Sequence, residues 1–210
     1  MNQIMSKGVY EVLETMYALK RQKNIIYFVT FIFFSTFIVS YILLYLDVAW
    51  INSYGSLLYD SFLSKVDSFN ISEGGSLRII SVILGNNILV ALFNYVLMIF
   101  SIVNIMLNAF LLSYVLHISE TLKFILLVTP HGIVEIPALI LSGSSGILLF
   151  IALIKKFGKL LKGSKSSETG SEIYKIYYHD SLRILGVSIV LFVIAAIIEG
   201  TITYQIAQIL

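Results

Sequence analysis

The chain has no cysteine and only two prolines in 210 residues, and just 12% of its residues are charged. Without cysteine there is no disulfide and no thiolate-bound metal. So small a charged share, at a mean hydropathy of +0.93, excludes an ordinary soluble domain, where about a quarter of residues carry charge. The formal net charge of +2 is too small for a nucleic-acid binder, and the basic residues sit beside apolar runs as membrane-surface charges do. What remains is an integral membrane protein, with the lipid bilayer as its first partner.

Residues 25–46 form an uncharged run long enough to cross a hydrocarbon core of ~30 Å. Lys7, Lys20, Arg21 and Lys23 precede it, whereas Asp47, Asp60, Asp67 and Glu73 follow it against Lys65 and Arg78. This bias predicts a cytoplasmic N-terminus. The run starts too late and is too long for a cleaved signal peptide. In residues 1–24, Val9, Val12, Leu13, Met16 and Leu19 recur at helical spacing. That stripe suits an amphipathic helix, lying on the inner membrane surface or packed on the chain's own cytoplasmic helix ends. Segment 47–78 is polar, with Trp50, Tyr54 and Tyr59 as interfacial aromatics, and reads as an external loop with a short helix. Its Asn70-Ile71-Ser72 glycosylation sequon is taken as a chance match.

The core spans 79–154. Its apolar run from Asn86 to His117 is too long for one crossing and is interrupted by Asn94, Ser101, Asn104 and Asn108. Two closely connected helices are predicted, 79–102 and 104–119, turning near the cytoplasmic side. Residues 119–123 return the chain to the outer interface, and 124–128 is too short to span, so a re-entrant or interfacial piece ending at Pro130 is expected. Residues 132–154 cross again. The next segment carries Lys155, Lys156, Lys159, Lys162, Lys165 and Lys175 against Glu168 and Glu172, which predicts a cytoplasmic basic linker over 155–182, with flexible composition at 163–171. Residues 183–204 make the last crossing and leave a short external tail, 205–210. The expected fold is an all-α, multi-pass membrane protein with about five transmembrane helices, an amphipathic N-terminal helix and one short re-entrant or interfacial helix.

Against this background His131 and Glu135 stand out, four residues apart and therefore on one face of a helix. Topology places Glu135 about 6 Å in from the outer end of its helix and Glu199 about 7 Å from the outer end of the last one. Asn86, Asn87, His117 and Glu120 fall in the same leaflet, so one polar cluster is expected there. Ionisable groups within a membrane point to function or to internal pairing. The cluster could be structural glue, an ion or proton site, or a metal site with Glu199 as third ligand. No HExxH or paired CxxC is present, so spacing specifies no metal. Asn104 and Asn108 share a face and suit helix packing, and Gly143-Ser144-Ser145-Gly146 suits close helix approach.

These residues resemble the stage II sporulation protein M family. The resemblance rests on Asn86-Asn87, Asn108, the block from Pro130 to Ala138, Gly143 to Gly146, and the closing segment Ala195 to Thr203, which brings Thr203 into the cluster. Asn108-Ala109 replaces an expected Asn-Gly, and the basic linker is longer than the pattern. Best-studied members act in an endospore engulfment complex, where the membrane protein scaffolds peptidoglycan-degrading partners. The resemblance therefore implies a non-enzymatic, cofactor-free cell-membrane scaffold whose partners are membrane or envelope proteins or further copies of itself. A transporter using the His/Glu cluster and an intramembrane metal-dependent hydrolase stand as alternatives.

Overall fold

The computed structural model describes residues 2–68, 75–162 and 169–209. The Asn70 sequon and most of the 163–171 segment lie outside them. Among the described residues every apolar run is helical and there is no strand, as expected where no water can satisfy backbone groups. In chain order the helices are α1 (Asn2–Arg21), α2 (Lys23–Tyr45), α3 (Ala49–Ser68), α4 (Gly75–Leu97), α5 (Ser101–Ile118), α6 (Thr121–Lys162), α7 (Thr169–Ile198) and α8 (Tyr204–Ile209). A 3₁₀ turn, Met98–Phe100, joins α4 to α5, and a π turn, Glu199–Thr203, joins α7 to α8. Four stretches of the described residues are long and apolar enough to cross a membrane: Lys23–Tyr45, Leu77–Ile118, Thr121–Lys159 and Ile173–Ile206.

The second stretch is not one rod. Asn104 Nδ2 donates to Asn94 Oδ1 at 2.7 Å, whereas ten residues along a straight helix would separate them by about 15 Å. The chain folds back at Met98, whose φ is 54°. A left-handed non-glycine residue is strained, and the turn is held by its seat on α6: a Cβ on Gly146 would overlap the Asn94 carbonyl oxygen and lie 3.3 Å from that of Met98. The other described non-glycine residue with positive φ, Asp47 (φ 53°), closes α2. Its N–H bonds Leu44 O, and Val48 N–H bonds Leu43 O, the paired pattern that ends helices on a left-handed residue.

Contacts fix the direction of each helix. Val29 and Ile105 both flank Gly143, and an equal number of residues further on the rings of Tyr41 and His117 meet at 6.5 Å, so α2 and α5 run parallel. Asn94 donates to Ser142 at 2.7 Å, and Asn87 meets Glu135 at the same offset, so α4 and α6 run parallel. α7 opposes both, through Tyr95 with Ser181 and Ile80 with Gly200 on one side, and Ser188 with Ala138 O on the other. α5 opposes α6, with Ser101 Oγ on Gly143 O. The apolar segments α2, α4, α5, α6 and α7 therefore alternate in direction along the chain.

α6 is the hub: residues 138–148 are buried without interruption. A helix apolar all round belongs in the middle of a bundle. Against it pack Val29 and Phe33 of α2, Ala91 of α4, Ile105 and Ala109 of α5, and Phe192 of α7. α3 lies across the far end of α2 and α5, with Ile51 beside Leu44, Phe110 and Tyr114.

One sequence expectation needs correction, and two segments are more helical than the sequence suggested. The short piece at 124–128 is the first part of α6, which passes through both Pro130 and Pro137. Each proline removes one backbone hydrogen bond, a loss that membrane helices tolerate, and the fully buried part of α6 starts just after the second. The segment 155–182 is mostly helix, since α6 continues to Lys162 and α7 begins at Thr169. Likewise 47–78 is largely the 20-residue helix α3. For the N-terminal stripe, Ala18 is buried and Leu19 packs on α7, but Val9, Val12, Leu13 and Met16 remain 48–62% exposed. Packing on the chain's own helices therefore accounts for only the end of that stripe.

Candidate functional site

His131 and Glu135 lie one turn apart on α6, with His131 Nε2 3.8 Å from Glu135 Oε2. Across from them the π turn presents Glu199 at its start and Thr203 at its end. Thr203 Oγ1 is 3.3 Å from His131 Nδ1. One potential ligand atom from each of His131, Glu135 and Glu199 lies within 4.8 Å of the other two. A π turn is wider than an α turn and recurs at functional sites. Here it is seated by Gly200, where a Cβ would overlap Ile80 of α4.

From α4, Asn87 closes the group. It is 5% exposed and near enough to act on the Glu135 carboxyl, yet its Nδ2 makes no hydrogen bond of good geometry among the described residues. The described ion pairs give neither glutamate a Lys or Arg partner. Two ionised carboxylates this close repel unless a proton or a cation lies between them.

Not all the expected residues converge. Asn86 accepts from Lys65 Nζ of α3 at 2.5 Å. The reason is angular: adjacent residues on a helix point about 100° apart, so Asn86 and Asn87 cannot both face α6. His117 meets Tyr41 edge-on, and Glu120 pairs with Lys123 at 3.4 Å. Asn104 bridges α5 to Asn94 of α4, while Asn108 donates to Asn104 O within α5 at 2.8 Å. Gly143 and Gly146 lie on the buried face of α6, the first against Ile105 and the second against the Met98 turn.

Two groups escaped the sequence reading. Asn94, fully buried, is the centre of a seam joining α4, α5 and α6. It was visible only as an interruption, because its partners depend on the fold-back at Met98. Asp180, also fully buried, accepts from Arg21 Nε at 2.8 Å, Arg21 Nη2 at 2.5 Å and Gln22 Nε2 at 2.6 Å. Nearby, Arg183 pairs with Glu14 and Glu11 of α1 at 3.2 and 3.4 Å. The available signal was an acid just ahead of the last apolar run.

Residues 25–204 match the family described as stage II sporulation protein M. Over 205 residues the chain is 37% identical to the uncharacterized protein MJ0706 of Methanocaldococcus jannaschii, an overlap that takes in 97% of this chain and 92% of that relative. No solved structure matches it. The matched range runs from the first apolar helix to the end of the π turn, hub and polar cluster included, and on that breadth the chain is a membrane protein that belongs to the stage II sporulation protein M family.

Proposed function

We propose that the protein is a non-catalytic membrane scaffold that organises other membrane or envelope proteins. One observation supports this over a transporter: neither of two grooves in the bundle is lined by a residue of the polar cluster. A groove of about 630 Å³ between α2, α5 and α6 is walled by Ile26, Phe33, Phe37, Ile136, Ile140 and similar residues. A second, of about 430 Å³, lies between α1 and α7. Neither includes His131, Glu135 or Glu199. Transport would require a water path to that depth. Interior polar groups instead tie helix to helix, through Asn94, Ser101, Tyr95 and Ser188, which suits a rigid platform.

The same reading includes orientation. Because α6 opposes α2, Lys155, Lys156 and Lys159 fall at the end of the bundle that carries Lys20, Arg21 and Lys23. That end is cytoplasmic by the distribution of positive charge. Five crossings then leave α3 and α8 outside.

Flux decides between scaffold and transporter. Purified protein in proteoliposomes is expected to leave an imposed pH or cation gradient intact, and mild extraction from native membranes to recover the same partner proteins with wild type and with Glu135→Gln. Gradient dissipation that Glu135→Gln abolishes would replace the scaffold reading with a transporter.

A further inference from the structure

The scaffold reading leaves the cluster at the end of α6 unused. We propose that His131, Glu135 and Glu199 bind one divalent transition-metal cation of the zinc or manganese class, clamping α6 to the π turn after α7.

Geometry is the first support. The three ligand atoms lie within 4.8 Å of one another. Around a single ion with bonds of about 2.0–2.2 Å, neighbouring ligand atoms sit about 3.5 Å apart. Small rotations of two glutamate side chains close that difference. Thr203 Oγ1 holds His131 Nδ1, which leaves Nε2 turned toward Glu135. A histidine ligand is commonly fixed by such a bond to its other ring nitrogen.

Charge supplies the second support. Ionised together, the two carboxylates would carry two negative charges, and the described ion pairs offer them no Lys or Arg. One divalent ion neutralises both, which matters where the surroundings are apolar. A monovalent ion would leave a net charge. One imidazole with two carboxylates is borderline in hardness, so it suits zinc or manganese better than copper(I), which prefers sulfur, or calcium, which prefers oxygen alone.

Asn87 is the independent pointer. Its side chain is buried against Glu135, yet its Nδ2 makes no hydrogen bond of good geometry there among the described residues. A buried donor calls for an acceptor. A Glu135 carboxylate kept ionised by a bound cation provides it, through the oxygen the ion does not use.

This site is independent of the scaffold reading, and its test reads metal rather than partners or flux. Full-length protein in detergent is stripped with a chelator, reloaded with Zn²⁺, desalted and assayed for metal. About one zinc per chain is expected, falling at least about tenfold in Glu135→Gln and in Glu199→Gln. Size-exclusion profiles report whether the variants remain folded. X-ray absorption at the zinc edge of the wild-type protein needs no variant, and should show a single imidazole with oxygen ligands at about 2.0–2.2 Å. Wild-type protein that retains almost no zinc, folded variants that retain as much as wild type, or a spectrum with more than one imidazole would each overturn the proposal.

Discussion

Asp180 is a charged side chain with no exposed surface, facing three donors at 2.5–2.8 Å. Removing it strands the Gln22 amide, which is itself buried, and releases Arg21, whose side chain is 43% exposed. Because water screens the arginine, the loss in Asp180→Ala is expected to be about 1–3 kcal/mol, below the range for a wholly buried pair. Unfolding in detergent measures it. The Asp180 carboxylate also raises the Arg21 guanidinium above its ordinary value, mainly through their hydrogen bonds. A raised basic group stabilises fully below its unfolded value, and that stability is lost only as pH climbs through the folded one. Both lie beyond the working range, so the difference between wild type and Asp180→Ala should not shrink from about pH 7 to about pH 9. The sequence alone does not single this residue out, because nothing local distinguishes a solvated aspartate from a buried one. The pairing of His131 with Glu135 was legible for the opposite reason: a helix imposes it at a spacing of four. Glu199 could be joined to them by depth alone, whereas Asn86 could not be separated from Asn87 without knowing which face of α4 meets α6.

At the scale of elements, the sequence spoke clearly about which runs are apolar and poorly about where helices stop. Pro130 and Pro137 suggested an end, yet α6 continues through both, with the uninterrupted buried stretch beginning just after Pro137. The fold-back inside Leu77–Ile118 was legible as an excess of length, and its position near Asn94 to Asn104 as a cluster of polar residues. The device that permits it, a backbone-to-backbone approach at Gly146, was seen only as a run of small residues. The two glycines of that run should respond differently to alanine. At Gly143 a Cβ would meet Cγ1 and Cδ1 of Ile105 at 2.9–3.0 Å, side-chain atoms that can shift more readily than backbone. At Gly146 it would overlap the Asn94 carbonyl, which is held by the Met98 turn. Gly143→Ala is expected to cost about 1–2 kcal/mol, and Gly146→Ala about 3 kcal/mol or more, with loss of the Asn94–Asn104 contact. Equal losses in thermal unfolding would mean that the turn does not rest on α6.

At the scale of the whole molecule, the alternation of helix directions and the placement of charge lead to one arrangement. Parallel α2 and α5, opposed by α4 and α6, with α7 opposing α6, bring the start of α2, the Met98 turn and the lysine-rich end of α6 to the same end. α3 packs at the opposite end, over Leu44 and Tyr114. Turning the bundle upside down would carry Lys20, Arg21, Lys23, Lys155, Lys156 and Lys159 across the bilayer together, against the charge bias that sets orientation. The wild-type chain has no cysteine, so a single introduced thiol reports its own location without background. With an impermeant thiol reagent on intact cells, Ser68→Cys should be labelled and Ser167→Cys should be labelled only after the membrane is permeabilised. Reaction at Ser167→Cys alone would invert the orientation while leaving the fold intact. Reaction at both positions before permeabilisation would place the two on one side, and would require an even number of crossings between α3 and the segment after α6 in place of the three proposed for the alternating α4, α5 and α6.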